Sequence, residues 1–210
     1  MIVEFLKNNY LEIIGVIFSV TYLYFSINRK LWLWAVGIIS SSIYVIVFFR
    51  ASLYADMIQN IYYVGISIYG IIIWIRDKDN LDKRTYEVEV RKTPLQKVLP
   101  ISFAWLSIYA IIYSFTNFMP KILGISSASI PLIDSCLTSM AFVATWMLAK
   151  KYIEQWIIWI FVDFAYIIVY AYRELYLTCF LFVIYTSMAV IGYVKWRKHL
   201  IDETNKNRTS

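Results

Sequence analysis

Apolar side chains run along this chain in stretches of about 20 residues, and the charged residues fall almost entirely in the gaps between them. Continuous apolar runs of this length are the pattern of membrane-spanning helices. A barrel strand would alternate apolar and polar positions, whereas a helix satisfies its own backbone in lipid and is free to be apolar all round. The pattern predicts seven spans, at residues 10–27, 31–49, 53–75, 98–118, 130–149, 153–171 and 175–194. Their connections are short except for residues 76–97, a loop charged with both signs that contains Pro94 just before the fourth span.

Composition agrees with this all-α integral membrane class: 60% of the 210 residues are hydrophobic and 16% are charged, more apolar surface than a soluble domain of this size could hide. The net charge of +6 sits at span ends and in connections, so it reads as a topology signal and as lipid head-group contact, with no nucleic-acid surface. Of the Lys and Arg residues, four lie on the side of the N-terminus and sixteen on the side of the long loop and the C-terminal tail. The positive-inside rule therefore expects the N-terminus outside and the C-terminus in the cytoplasm. Glu4 and Lys7 precede the first span and no small-residue cleavage pattern follows it, so that span is expected to remain in the mature protein. Cys136 and Cys179 lie in apolar runs without CxxC spacing and suggest packing, not a disulfide or a zinc site.

An offset of 122 residues aligns the chain with itself. Trp34 falls on Trp156, Tyr44 on Tyr166, Tyr63 on Tyr185, Gly70 on Gly192 and Trp74 on Trp196, within ten identities over 43 positions. Composition alone would give roughly three or four. Each copy holds three spans, so two copies with the same orientation need one extra span between them. The expected architecture is 3+1+3, with parallel units related by an axis along the membrane normal and a ligand site near the midplane at the repeat interface. The units are residues 1–75 and 130–198, separated by the cytoplasmic loop and linking helix of 76–129 and followed by a cytoplasmic tail at 199–210.

The chemistry concentrates on the sixth span. Steps of three and seven put Trp156, Trp159, Asp163, Tyr166 and Tyr170 on one helical stripe. At a rise of about 1.5 Å per residue, Asp163 lies about 15 Å into its span, near the bilayer centre. A carboxylate there is costly in lipid and is expected to face a cavity or a partner. The repeat mates of Trp156, Trp159, Asp163 and Tyr166 are Trp34, Gly37, Ser41 and Tyr44, which makes the second copy the specialised wall. Trp34 and Trp156 stand near helix ends and read equally well as interfacial belt residues. On the third span, Asn60 and Tyr63 add hydrogen-bonding capacity, with Asp56 and Gln59 nearby; Asp134, Thr138 and Ser139 form a less specific polar set. The candidate substrate-binding residues are thus Trp159, Asp163, Trp156, Asn60, Tyr166, Ser41, Tyr44 and Tyr63.

No catalytic or metal-binding pattern accompanies them. The one histidine, His199, lies in the tail, and HExxH, GxSxG and P-loop motifs are absent. None of the seven spans contains Lys or Arg, which argues against a phosphorylated ligand. A carboxylate among indoles and phenols suits a flat, positively charged aromatic one. A transporter without a cofactor is the expectation. A seven-span sensor or receptor that uses the charged loop to reach a cytosolic partner is the rival, though loop and tail are short for an effector.

These residues resemble the Pnu-type vitamin transporters. Trp156, Trp159 and Asp163 match that family's Trp-x-x-Trp-x-x-x-Asn/Asp signature, and Leu53-Tyr54-Ala55-Asp56 with Asn60 and Tyr63, and the Gly70–Trp74 and Gly192–Trp196 span ends, extend the likeness over essentially the whole chain. The resemblance implies a SWEET-like fold, a homotrimer in the bacterial inner membrane, and facilitated uptake of nicotinamide riboside, an NAD precursor, trapped afterwards by a cytosolic kinase. Thiamine is the alternative cargo, also cationic; neutral riboflavin fits the Asp163 carboxylate less well. Asp163 stands where Asn is frequent in the family, and Asn60 where Gln is frequent.

Overall fold

The computed structural model describes residues 10–50, 54–77, 89–123 and 131–209. Leu53, Ile130 and most of the charged loop lie outside the described residues. Seven helices are seen among them: α1 (Tyr10–Ile27), α2 (Trp32–Arg50), α3 (Tyr54–Arg76), α4 (Leu95–Leu123), α5 (Pro131–Ala149), α6 (Gln155–Tyr172) and α7 (Tyr176–Thr209). Six of them, α2 to α7, are long and apolar enough to cross a membrane, and α1 is a further apolar helix on the expected first span. Two helices outrun expectation. α4 begins three residues earlier and ends five later than its apolar run. α7 continues through the polar residues read as a tail, because no Gly or Pro follows Gly192 to stop it and His199 pairs with Glu203 one turn on, at 2.6 Å.

The helices fall into two compact units, one ending at Glu89 and the other beginning at Val90. In the first, α2 packs between α1 and α3; in the second, α6 packs between α5 and α7, and α4 lies against α5. α4 is thus part of the second unit, through a cluster in which Ile101, Trp105 and Ile108 meet Val143, Met147 and Ile158. Just before α4, residues 91–93 are strapped to the α5–α6 turn. Arg91 and the turn exchange backbone bonds with Lys151 and Ile153 at 2.9 and 3.0 Å, and the Glu154 carboxylate accepts both the N–H and the hydroxyl of Thr93 at 2.9 and 2.6 Å. That places a negative charge at the start of α4, where the helix dipole favours it.

The sequence repeat is matched by local geometry inside each unit. α1 ends as Arg29 takes a left-handed φ of 57°, with Arg29 N–H bonded to Ser26 and Lys30 N–H to Phe25. α5 ends the same way 122 residues on: Lys151 has φ 64°, Lys151 N–H bonds to Leu148 and Tyr152 N–H to Met147. Both are Schellman caps formed without glycine. Past each cap, Trp34 and Trp156 donate to Leu31 and Ile153, three residues back. Each indole then meets a second one edge-on, Trp34 with Trp74 at 5.4 Å and 85° and Trp156 with Trp196 at 5.6 Å and 86°.

The seat of each indole is a glycine. A Cβ on Gly192 would lie 2.7 Å from the Trp156 ring, and one on Gly70 would overlap the Trp34 ring. Gly70→Ala is therefore expected to cost about 2 kcal/mol through overpacking. Gly65→Ala is the control: it is exposed on the same helix with nothing within 4 Å of an added methyl, and should be neutral or stabilising by up to about 1 kcal/mol. Thermal unfolding of the purified variants in one detergent separates the two.

Candidate functional site

The stripe of α6 read as inward holds a fully enclosed ring, a partly open one and a buried carboxylate. Trp156, at the end of α6 next to the α5–α6 turn, is 1% exposed and enclosed by Gly192 and Trp196 of α7. Trp34 is 0% exposed in the matching seat on α3. In this structure neither ring has an open face, so any contact of Trp156 with a ligand needs the helices around it to part. These indoles join helices.

One turn further on, Trp159 is half-buried, so part of its ring is accessible. Its repeat mate Gly37 has no side chain to offer, and Tyr22 and Ser67 occupy that space, an added Cβ lying 2.9 Å from Ser67 Oγ. The first unit closes where the second presents an indole. Another turn along, the Asp163 side chain is buried, with 6% of the residue exposed. Among the described residues no hydrogen bond or ion pair reaches its carboxylate. Its mate Ser41, 8% exposed, fills the equivalent place with a neutral hydroxyl. An intramembrane carboxylate without a protein partner is expensive and points to a partner supplied by a ligand.

Beyond Asp163 the stripe becomes an aromatic shelf. Tyr166 and Tyr170 stack at 5.7 Å and 24°, and Phe182 of α7 touches both, at 5.1 and 5.2 Å, while Tyr185 meets Phe182 edge-on at 5.5 Å. Tyr44 and Phe48 stack at 5.7 Å and 22° at the mates of Tyr166 and Tyr170. The mate of Phe182 is Asn60, so the first unit has an amide where the second has a ring. Asn60 Nδ2 donates to the Asp56 carbonyl at 2.8 Å, which leaves Oδ1 as the acceptor available to other groups. Gln59 Nε2 donates to the Tyr63 hydroxyl at 3.3 Å. Trp159, Asp163 and Tyr166 thus share one face of the second unit, and Ser41, Tyr44, Asn60 and Tyr63 belong to the first.

Two of the other polar candidates are engaged. Asp134 pairs with Arg173 at 3.6 Å, and Ser139 donates to the Cys136 carbonyl of its own helix at 2.7 Å. Among the described residues no three His, Cys, Asp or Glu side chains gather as a metal site. One residue escaped the sequence reading: Gln155, wholly buried at the start of α6. Its position beside Glu154 at a span end reads as interfacial, and only its repeat mate, the apolar Leu33, hints at an interior slot.

Comparison with known proteins bears on the family and the fold. Residues 9–198 match the family model described as nicotinamide mononucleotide transporter. The nicotinamide riboside transporter PnuC of Escherichia coli K12 is 22% identical over 210 aligned positions, covering 90% of this chain and 85% of that protein. Its counterpart in Neisseria mucosa is 29% identical over 169 positions, covering 77% of this chain and 62% of that protein. A crystal structure of the vitamin B3 transporter PnuC has the same fold, with a TM-score of 0.71 at 21% identity over 96% of this chain and 86% of the solved one. The helical membrane architecture and a family match that spans almost its whole length lead to one conclusion: the chain belongs to the nicotinamide mononucleotide transporter family.

Proposed function

We propose that this multi-pass membrane protein takes up nicotinamide riboside, using the Trp159 ring to stack on the pyridinium and the Asp163 carboxylate to balance its positive charge. The observation that carries the reading is the buried Asp163 carboxylate, which has no partner among the described residues and lies midway along an apolar helix. A cationic aromatic ring supplies the missing charge and an interaction with the indole face at once. Tyr166 borders the same face, and Asn60, Ser41, Tyr44 and Tyr63 are the candidate binding residues of the first unit, taken by itself.

The family description names the mononucleotide, whereas the named relatives carry the riboside in their names. The chain's own residues favour the riboside, since a phosphate would want Lys or Arg and none of the seven expected spans contains either. Movement is facilitated diffusion, trapping falls to a cytosolic kinase, and the N-terminus is outside with the C-terminus inside, as the basic residues suggest. The parallel 3+1+3 arrangement of SWEET-like type, with seven spans, is supported by the matching caps and indole seats of the two units. A homotrimer accompanies the reading through the family resemblance.

Uptake of radiolabelled nicotinamide riboside into proteoliposomes tests it. Unlabelled riboside should compete well, and nicotinamide mononucleotide poorly, at least tenfold weaker given the missing cations. Competition by thiamine alone would keep the cationic site and replace the cargo, and preference for the mononucleotide would overturn the argument from missing cations.

A further inference from the structure

The first residue of α6, Gln155, is 0% exposed, and among the described residues neither its Nε2 nor its Oε1 has a hydrogen-bond partner. Taking both ends of an amide out of water unpaired opposes folding. The repeat supplies an internal control for what the position requires. Its mate is Leu33, also 0% exposed and set in a turn of the same kind, with Leu33 N–H bonded to Lys30 and Gln155 N–H to Tyr152. An apolar side chain of similar size fills this slot with nothing left unpaired. Among the described residues the indole nitrogens of Trp34 and Trp156 are unpartnered in both units and so belong to the shared fold, but the orphan amide of Gln155 has only an apolar mate. That unit also holds Trp159 and Asp163. Gln155 precedes Asp163 by eight residues, about 12 Å along α6 toward the loop end. In the structure this end is sealed, with Lys151, Tyr152, Ile153 and Trp156 all buried.

We propose that Gln155 is a second binding residue on the release side of the pathway, whose amide pairs with the carboxamide of the substrate when this end of the unit opens. An amide both donates and accepts, and a carboxamide is its complement: Nε2–H meets the carboxamide oxygen and Oε1 accepts from its NH2. The inference rests on the riboside reading given above. It assigns the cost of the orphan amide to the substrate's passage.

The test compares the full chain and Gln155→Leu, the residue its mate already uses, in proteoliposomes with two probes: nicotinamide riboside and pyridine riboside, which keeps the cation and sugar but lacks the carboxamide. Gln155→Leu is expected to hold or raise the unfolding temperature, to slow nicotinamide riboside uptake about fivefold, and to leave pyridine riboside uptake unchanged. Gln155→Asn, which keeps a shorter amide, should recover part of the loss. Equal rates for both chains on both probes would overturn the proposal, as would equal slowing on both probes, or a lower unfolding temperature, which would mean the amide has a structural partner. If the parent chain takes up neither riboside, the functional reading itself fails; if it takes up nicotinamide riboside and Gln155→Leu does so equally fast, only this inference does.

Discussion

In Trp159→Ala, affinity for nicotinamide riboside is expected to fall about tenfold or more while the unfolding temperature stays close to that of the parent chain. The half-buried ring is less enclosed than that of Trp156, so its loss should cost less stability, and it offers a stacking face one helical turn from Asp163. The informative comparison is Trp156→Ala. That ring is sealed between α6 and α7 over Gly192, so its removal empties a cavity the size of an indole and should cost about 3–5 kcal/mol of stability. Trp34→Ala should do the same in the first unit. Equilibrium binding and thermal unfolding, measured on all three, divide the tryptophans into one recognition residue and two packing residues. Loss of binding in Trp156→Ala with stability intact would return that residue to the ligand wall.

The difference between those tryptophans was legible in the chain only in part, through the match of Trp156 with Trp34 at a helix end. Periodicity puts Trp156 and Trp159 within about 60° of each other on the helix, so both face inward on any reading. Which one meets a ligand depends on what the neighbouring helix places opposite. The deciding residue is Gly192, 36 positions away in sequence, visible as a repeat identity but not as the seat of an indole. The helices themselves were legible because lipid imposes a length and a composition that no tertiary contact overrides, and six of the seven starts lie within two residues of expectation. The ends of α4 and α7 were less so, since a helix stops at a breaker or a cap and not where hydrophobicity does. Asp163 was legible as costly; that it would be buried without a protein partner could not be read from one strand of sequence. Gln155 was hidden for the opposite reason: glutamine at a span end is ordinary, and its complete burial appears only in the folded chain.

Asp163→Asn tests charge at nearly constant shape. Asparagine keeps the size of the side chain, removes its charge and puts an NH2 donor where the carboxylate has a second acceptor oxygen. Affinity for nicotinamide riboside should drop about 30-fold or more, the scale of losing one member of a buried charge pair. The dihydro form of the same riboside, in which the ring is neutral, should bind the variant at least as well as it binds the parent. Crossing the two proteins with the two ligands isolates the charge-to-charge coupling, because the packing and hydrogen-bond differences of each single change cancel in the cycle. Stability gives an independent reading. With no partner among the described residues, the carboxylate stabilises nothing when the site is empty, so Asp163→Asn should unfold at the same temperature or higher in the absence of ligand, and gain less than the parent when nicotinamide riboside is added. A variant that unfolds earlier without ligand would mean that the carboxylate has a structural partner, and equal losses for the charged and neutral rings would mean that shape and not charge selects the substrate.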